Sequence, residues 1–251
     1  MTGLLGAIVF LTRIPVRTTR SLDTARSVPW FPIVGLLIGT LVGGIAALLE
    51  PWSSPYVAAG VAIVVGLLVT GAFHEDGLGD VADAFVGGWT REDRLRILKD
   101  SRHGTYGVVA LVSSIALRFV ALGALVLAGP KSAFIGAVAA HGLARSAAVF
   151  TMLVARPATG EGLGSEYVAR LRRAPSAVGI AVTVSVAAVI SGWWVAVALV
   201  SAVVTTTVLI VWSKRKIGGF SGDVLGAIEQ CGEIGVFVVL SIVVGHHQPW
   251  W

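Results

Sequence analysis

The residues best suited to chemistry form a dense acidic run, HEDGLGDVAD, from His74 to Asp83. Asp76, Asp80 and Asp83 stand at positions i, i+4 and i+7, which places their carboxylates on one face of a helix within about 60° of one another. Like charges on one helix face repel, so the arrangement is destabilising without a cation. A hard divalent ion such as Mg²⁺ takes oxygen ligands together with substrate phosphates. The run therefore predicts a divalent-cation site rather than a solvated acidic loop, since its acids alternate with Gly, Ala, Leu and Val.

A second polar run, KDSRHGTYG at residues 99–107, leads directly into a long apolar stretch. A loop that enters a helix N-terminus offers backbone N–H groups to an anion. Lys99 and Arg102 can add charge-assisted hydrogen bonds to a phosphate. The segment just before this run is typical of an amphipathic surface helix, with a solvated outer face and with Leu95 and Leu98 turned inward.

A third polar cluster, from Gly218 to Glu233, follows a basic triplet and opens the last apolar stretch. Its glycine-rich start, followed by Asp223, is typical of a phosphate-binding entry to a helix. Glu229 and Glu233 lie four residues apart within the stretch, and an ionisable residue inside a membrane span indicates a function. The alternative, that both lie near the lipid headgroups and pair with arginines, stays open at this level.

Two arginines and two histidines lie within the apolar stretches or at their ends. Arg118 and Arg145 are costly in a bilayer unless each faces the bundle and finds a partner, either an acid or a substrate phosphate. His141 precedes Arg145 by four residues and is expected to make an interhelical hydrogen bond. His74 is expected to form a local cap or hydrogen bond.

The composition places all of these residues in a membrane protein. Of the 251 residues, 55% are hydrophobic and only 13% are charged, whereas a soluble domain carries about 25% charged residues. The mean hydropathy of +0.85 excludes disorder, a coiled coil and an ordinary soluble enzyme. The single cysteine, Cys231, excludes an intrachain disulfide and a multi-cysteine metal site. No nucleic-acid partner is expected from the net charge of +5, because in such a chain the placement of charge matters more than its sum.

An all-α fold is predicted: a polytopic membrane helix bundle that forms one domain over residues 1–251. About 20 apolar residues cross the hydrocarbon core, and about seven stretches reach or approach that length. The apolar segment from Leu4 to Leu11 is too short to span, so we expect a short N-terminal interfacial or re-entrant helix. The fifth and sixth stretches meet at Ser191 and Gly192, which indicates a tight helical hairpin. The predicted spans are 29–49, 56–73, 105–128, 132–155, 176–191, 193–212 and 225–245.

The basic residues predict the orientation, because cytoplasmic loops carry an excess of Lys and Arg. With seven spans, 16 of the 19 basic residues fall on one side, and Lys131 falls on the other. The N-terminus is therefore expected to be cytoplasmic in a multi-pass protein of the cell inner membrane, with the final tryptophans as interface anchors on the far side. Of the 14 acids, Glu50 alone is expected outside. The site, formed by residues 74–107 and 214–233, is expected to face the cytoplasm.

Carboxylates, guanidinium groups and glycine-rich loops at one membrane face are suited to phosphoryl chemistry on a diphosphate. Metal ions neutralise the diphosphate and its leaving group, and catalysis is mostly positioning and electrostatics. A carboxylate can accept the proton of an attacking hydroxyl. From the residues alone, the sequence predicts a metal-dependent phosphotransferase or diphosphate hydrolase.

Five segments, ordered along nearly the whole chain, resemble the cobalamin synthase family of membrane adenosylcobinamide-GDP ribazoletransferases. The most specific resemblance combines the His-x-Asp-Gly-Leu-x-Asp-x-x-Asp run with the later Lys-Asp-Ser-Arg. The sequence departs from the family at Gly79, where the family usually has Ala, and at Ala84, where it usually has Gly. The five segments are Leu11–Pro15, Phe31–Gly39, Gly71–Asp83, Lys99–Gly107 and Gly218–Gly226.

The resemblance implies a reaction with Mg²⁺ as the cofactor. A ribose hydroxyl of α-ribazole, or of its 5′-phosphate, attacks the cobinamide-proximal phosphoryl group of adenosylcobinamide-GDP; GMP leaves, and adenosylcobalamin or its 5′-phosphate forms. The predicted metal ligands are Glu75, Asp76, Asp80 and Asp83. The predicted catalytic residues are Asp80, Asp83 and Arg102. The predicted substrate-binding residues are Lys99, Asp100, Ser101, Arg102, Gly104, Arg145, Gly219, Gly222 and Asp223.

The sequence alone leaves three other functions open. A CDP-alcohol-type phosphotransferase should show Asp-Gly-x-x-Ala-Arg, but Asp80 stands where Ala-Arg would begin. A polyprenyl-diphosphate phosphatase is the other enzymatic alternative. A cation transporter is less favoured, because its acids should lie near the bilayer midplane and its sequence often contains repeats. Besides the two substrates and membrane lipid, the sequence leaves open a homo-oligomer or a complex with other corrinoid enzymes.

Overall fold

The computed structural model describes residues 2–16, 24–160 and 163–246. Within these ranges the chain is helical, apart from short loops and one isolated β-bridge between Pro157 and Phe220. Six helices are long and apolar enough to cross a membrane, and a bent pair of helices raises the count to as many as seven spans. The prediction of an all-α, multi-pass membrane bundle is therefore confirmed. Four residues used in the orientation prediction lie outside the described ranges: Arg17, Arg20, Trp250 and Trp251.

The described residues form twelve α-helices, which we number in chain order. Short 3₁₀ turns at Val28–Trp30 and Glu50–Trp52 extend the third helix at both ends, and a π-helical turn at Asp83–Gly87 continues the fifth. The helices are α1 (Thr2–Leu11), α2 (Thr24–Ser27), α3 (Phe31–Leu49), α4 (Pro55–Thr70), α5 (Phe73–Ala82), α6 (Arg91–Ile97), α7 (Thr105–Leu127), α8 (Pro130–Val154), α9 (Leu163–Ala169), α10 (Arg173–Ser191), α11 (Trp194–Ile217) and α12 (Gly222–Val244).

Each predicted span coincides with a helix to within about five residues at either end, apart from the second, which is bent. α4 ends at Thr70, before the predicted end at residue 73, and α5 then runs at 90° to α4. The bend is made by Gly71 and Ala72, whose φ angles of 67° and 54° lie in the left-handed region. A side chain is disfavoured in that region, so Ala72 is locally strained. The acidic run therefore begins a separate helix instead of ending a straight span.

The short first helix and the predicted hairpin both appear in the fold. α1 has 10 residues, half of the roughly 20 needed to cross a bilayer, and it packs against α2 and α3. α10 ends at Ser191 and α11 begins at Trp194, with Gly192 between them at a φ of 61°. The prediction of a tight turn at this point is confirmed, and glycine supplies the backbone conformation that the turn requires.

α3 packs tightly against the almost fully buried α8 through three glycines spaced four residues apart. A Cβ added to Gly35, Gly39 or Gly43 would lie 2.6, 2.5 or 2.8 Å from the nearest backbone atom of α8. In a membrane, helices associate through van der Waals packing, so small residues that let two backbones approach are favoured at the contact. These glycines therefore fix the distance between α3 and the central helix of the bundle.

Three segments that together carry nine of the 19 basic residues meet at one end of the bundle, which we call the basic end. It comprises the segments 88–104, 155–160 and 214–221. The backbone N–H of Ala158 donates to the carbonyl of Phe220 at 2.8 Å, which joins the second and third of these segments. Loops that are far apart in the sequence thus form one surface.

α6 docks onto the basic end through an arginine. Arg91 Nε donates to the carbonyl oxygen of Ile217, and its Nη2 donates to that of Ala158, both at 2.9 Å. The predicted inward packing of Leu95 and Leu98 is confirmed. Arg91 lies on the exposed face, as predicted, and its side chain also satisfies a carbonyl that α11 leaves unpaired at its C-terminus.

Gly39→Leu is expected to lower the melting temperature of the protein in detergent. The added side chain meets the α8 backbone, and overpacking of this kind typically costs about 1–3 kcal/mol of unfolding free energy. Gly44→Leu in the same helix is the matched control, because nothing lies within 4 Å of a Cβ added there. Equal melting-temperature shifts for the two variants would contradict the proposed role of the α3–α8 contact.

Candidate active site

Two acids of α5 and a histidine from the loop before α7 form an open group at the basic end, here called the acid cluster. His103 Nε2 lies 3.5 Å from Asp76 Oδ1, and His103 Nδ1 lies 3.5 Å from Asp80 Oδ1. The Asp76 side chain is 68% exposed and that of Asp80 is 14% exposed, so the cluster has an open rim and a shielded floor. One ligand atom from each of the three residues lies within 4.8 Å of the others, which is close enough to share a metal ion.

The start of α12 brings a third acid, Asp223, to the acid cluster. α5 and α12 approach closely at Gly77, where an added Cβ would lie 2.8 Å from the backbone oxygen of Asp223. Ser221 Oγ donates to Asp223 Oδ2 at 3.2 Å and also accepts a backbone N–H of the first turn of α12. Asp223 interacts electrostatically with Asp76 and Asp80. The fold thus brings together acids that are far apart in the sequence.

Asp83 lies beside these acids but binds the start of α7. Its Oδ2 accepts the N–H of Gly104 at 2.6 Å, and its Oδ1 accepts the N–H of Gly107 at 2.9 Å. A Cβ on either glycine would collide with the Asp83 carboxylate, so the close approach requires glycine. A carboxylate at a helix N-terminus satisfies unpaired amides and is favoured by the helix dipole. Asp83 therefore holds the loop before α7 against α5; its role as a metal ligand or base stays a prediction.

Four predicted substrate-binding residues, Lys99, Asp100, Ser101 and Arg102, lie on the largely exposed loop that leads to His103. Arg102 Nε donates to Asp100 Oδ1 at 2.9 Å, and its Nη2 donates to Asp100 Oδ2 at 2.8 Å. These hydrogen bonds from Arg102 lower the pKa of the Asp100 carboxyl to about 2. The Arg102 side chain is 86% exposed. Because exposed ion pairs are weak, a phosphate can replace Asp100 as the partner of Arg102 at little cost.

A buried ion network of Glu75, Arg118, Arg145, Glu229 and Glu233 joins four helices inside the bundle. Arg118 Nη1 donates to Glu75 Oε1 at 2.9 Å and to Glu233 Oε1 at 3.0 Å. Arg145 Nη1 donates to Glu233 Oε2 at 2.8 Å and forms an ion pair with Glu229. None of the five side chains is more than 6% exposed. Both arginines therefore pair with acids inside the bundle.

Further polar side chains complete this ion network. His141 Nδ1 lies 2.7 Å from Glu233 Oε2, and Gln230 Nε2 donates to Glu229 Oε2 at 3.0 Å. Ser114 Oγ in turn donates to Gln230 Oε1 at 3.1 Å. The adjoining cavity has a volume of about 10 Å³, which is room for about one water molecule and too small for a substrate. The contacts make the ion network a brace that holds α5 against α7, α8 and α12.

The ion network keeps two predicted site residues away from the acid cluster. Glu75, a predicted metal ligand, directly precedes Asp76 but turns inward to Arg118. Arg145, a predicted substrate-binding residue, pairs with two glutamates of α12. Consecutive residues of a helix point about 100° apart, so Glu75 and Asp76 cannot share one face. The structure therefore gives the two neighbouring acids different surroundings.

The glycine loop before α12 places its two predicted substrate-binding glycines differently. Gly219 packs against the neighbouring segment 155–160 of the basic end. A Cβ added to Gly219 would lie 2.8 Å from the backbone N of Ala158. Gly222 opens α12, and nothing lies within 4 Å of a Cβ added there. Gly222 thus faces open space beside Asp223, whereas Gly219 supports the loop.

His103 is the member of the acid cluster that sequence reasoning missed. It lies 23 positions after Asp80, at the end of the polar loop that was assigned to phosphate binding. The sequence carries one signal for it, namely a histidine directly after Arg102 and before the helix start at Thr105. That signal does not indicate which acids the ring faces, because the answer depends on how α7 docks on α5.

Comparison with known proteins finds matches over nearly the whole chain. Residues 3–241 match the family model described as CobS, cobalamin-5-phosphate synthase. Three similar curated proteins are the adenosylcobinamide-GDP ribazoletransferases of Shewanella piezotolerans (31% identical; 94% of this chain and 93% of the relative), Klebsiella pneumoniae (35%; 91% and 95%) and Shewanella frigidimarina (37%; 94% and 93%). No solved structure matches the chain.

Arg118→Met is expected to lower the free energy of unfolding by about 3–5 kcal/mol, because it leaves glutamates buried without their counter-charge. Thermal or denaturant unfolding of the purified protein in detergent measures the effect. Arg96→Met is the control, since Arg96 is 74% exposed where it pairs with Asp93, and little change is expected. A melting temperature for Arg118→Met equal to that of the wild type would show that the ion network does not brace the bundle.

Proposed function

Because the chain belongs to the cobalamin-5-phosphate synthase family and is a transferase of cobalamin synthesis, we propose that it joins α-ribazole, or its 5′-phosphate, to adenosylcobinamide-GDP. A ribose hydroxyl oxygen forms a bond to the cobinamide-side phosphorus. The bond between that phosphorus and the oxygen bridging to GMP breaks, GMP leaves, and the hydroxyl proton passes to a base. The products are adenosylcobalamin, or its 5′-phosphate, and GMP.

The observation that carries this proposal is the convergence of Asp76, Asp80, Asp223 and His103 at an open surface. A diphosphate is a polyanion, and bare carboxylates repel it. The same carboxylates can bind a diphosphate when a cation lies between the carboxylate oxygens and the phosphate oxygens. A cluster of acidic side chains at an accessible surface is therefore suited to a metal-assisted reaction of a diphosphate.

The residues present fit Mg²⁺, which prefers carboxylate oxygens, keeps several waters and binds substrate phosphates. Asp76 and Asp80 would hold it, and Asp223 adds negative charge beside them. When bound, the ion would neutralise the diphosphate and the charge that develops on the leaving GMP. His103 faces both acids and offers a ring nitrogen as a further ligand.

The protein's own side chains supply the remaining functions. Asp80, which is only 14% exposed on the shielded floor, takes the proton of the attacking hydroxyl. Arg102 exchanges Asp100 for a phosphate oxygen of the substrate, and the nearby Lys99 adds positive charge. Asp83 keeps the loop before α7 in place. In this scheme the metal-ligand set is narrower than the sequence predicts, since Glu75 belongs to the ion network.

The site faces the cytoplasm in the proposed orientation. The loops of the basic end carry nine of the 19 Lys and Arg residues, and loops rich in Lys and Arg remain on the cytoplasmic side. In this orientation the N-terminus is cytoplasmic and the bundle lies in the cell inner membrane. Exposed apolar side chains around the bundle support direct contact with lipid, among them Leu68, Val112 and Val203.

Asp76→Asn and Asp80→Asn are each expected to lower GMP release by about 100-fold or more and to raise the Mg²⁺ concentration that gives half-maximal rate. The assay uses purified full-length protein in detergent with adenosylcobinamide-GDP, α-ribazole and Mg²⁺. Chelation with EDTA is expected to abolish release, and added Mg²⁺ is expected to restore it.

Asp93→Asn is the matched control for these variants. Asp93 is an acid of α6 at the same end of the bundle, paired with Arg96 outside the acid cluster, so the rate is expected to stay at the wild-type level. Undiminished GMP release by Asp80→Asn would overturn the role given to the acid cluster. No GMP release by the wild type would overturn the proposed reaction.

The orientation predicts a labelling pattern in a Cys231→Ser background. With a membrane-impermeant maleimide, Lys131→Cys is expected to react in intact spheroplasts, and Ser101→Cys is expected to react only in inverted vesicles. The reason is that Lys131 begins α8 at the end opposite the loop that carries Ser101. The reverse pattern would place the acid cluster outside the cell.

A further inference from the structure

An aromatic group centred on Phe10 lies at the same end of the bundle as the acid cluster. The ring of Phe10 stacks on Phe31 with centroids 5.2 Å apart and an interplanar angle of 3°. It also meets the ring of Phe73 edge-on at 5.2 Å and that of Tyr167 at 5.1 Å. The four rings come from α1, α3, α5 and α9, so they form a wall shared by four helices.

Two chambers adjoin this aromatic group, and Phe10, Phe73 and Tyr167 line both of them. The outer chamber has a volume of about 390 Å³ and the inner one about 50 Å³. Protein interiors normally contain few voids larger than a water molecule, whereas ligand sites are concave and lined mainly by apolar and aromatic side chains. The outer chamber is large enough for a bicyclic aromatic ring.

The inner chamber leads toward the acid cluster. Gly222 and Gly226 of α12 form part of its wall, and Asp223 belongs to the same turn. α5 contributes Phe73 and His74 to the chamber, and the same helix carries Asp76 a few residues further on. Because a helix rises about 1.5 Å per residue, Phe73, His74 and Asp76 are close enough for one small substrate to contact all three. A ligand in the chambers and a phosphate at the acid cluster are therefore neighbours.

The chambers are mostly apolar but contain a few polar groups. Thr12, Arg13 and Thr70 line the outer chamber, and His74 and Arg145 line the inner one. Arg145 Nε is buried and has no hydrogen-bond acceptor among the described residues. A buried donor without an acceptor is unfavourable, and a ring nitrogen or a ribose oxygen of a ligand can supply the missing acceptor.

We propose that the two chambers bind the planar aromatic base of the nucleoside acceptor, stacked against the aromatic group, with its ribose directed past Gly222 toward the acid cluster. The proposal rests on the proposed function, which supplies α-ribazole as the acceptor. The base of α-ribazole is an alkylated bicyclic ring with only ring nitrogens as polar atoms, which suits an apolar slot. Guanine, the other base among the substrates, carries several donors and acceptors and is the competing occupant that the kinetic test below distinguishes.

The test compares Tyr167→Leu with Tyr167→Phe in steady-state kinetics of GMP release. Loss of the ring is expected to raise the KM for α-ribazole about five- to tenfold, the usual size of a stacking contribution. The KM for adenosylcobinamide-GDP and kcat are expected to change less than about twofold, and Tyr167→Phe is expected to retain the wild-type KM, since it keeps the ring.

A second pair of variants tests the volume of the outer chamber. Val9 lines this chamber and is 40% exposed, so Val9→Trp fills the space from its rim and is expected to raise the KM for α-ribazole in the same way. Ile14→Trp, at a position 49% exposed that does not line either chamber, is the control and is expected to leave the KM unchanged. Melting temperatures identify any variant that is misfolded, and the Tyr167 pair remains informative in that case.

Equilibrium binding separates this proposal from the proposed function. The free base of α-ribazole, titrated calorimetrically into the purified full chain, is expected to bind the wild type and Tyr167→Phe, and to bind Tyr167→Leu about five- to tenfold more weakly. Binding of the free base without GMP release would support the chambers as its binding site and would overturn the proposed reaction. GMP release with an unchanged KM for α-ribazole in Tyr167→Leu and Val9→Trp would overturn the proposal. A raised KM for adenosylcobinamide-GDP instead would assign the chambers to guanine.

Discussion

The burial of two arginines and three glutamates inside an apolar bundle is the constraint on which the rest of the structure depends. An isolated charge in such surroundings is strongly unfavourable, and a buried pair is tolerated only when its geometry and hydrogen bonds are good. Arg118 and Arg145 meet this requirement by sharing Glu233, while Arg118 also pairs with Glu75 and Arg145 with Glu229. Because these groups come from α5, α7, α8 and α12, the four helices must meet at this point.

This constraint gives α5 two distinct faces. Glu75 turns inward and ties the helix to the ion network, while Asp76 turns outward to the acid cluster. Glycine at position 77 then allows α12 to approach so closely that Asp223 joins the acids of α5. The charges inside are already paired, whereas the acids outside are left to bind ligands. Rigid support beneath an open set of carboxylates is what a metal-assisted transfer requires, since such catalysis depends on positioning.

The same short helix also connects the acid cluster to the aromatic chambers. Phe73 and His74 face the inner chamber at the start of α5, immediately before the acids. The sharp bend at Gly71 and Ala72 makes this possible, because a straight continuation of α4 would carry these side chains along the span instead of across the end of the bundle. A strained left-handed residue next to a site is a common way to fix such a direction.

The sequence by itself determined the membrane class, the positions of the spans and the helical spacing of Asp76 and Asp80, because apolar length and helical period are local properties. It also carried the motifs that relate the chain to its family. Only the tertiary structure decided that Glu75 joins the ion network, that Asp83 caps α7 and that His103 faces the acids of α5. These outcomes depend on which helices pack together and on the rotation of each about its axis. Charge neutralisation in the bundle interior and close approach at glycines set that packing, and both act between residues far apart in the chain.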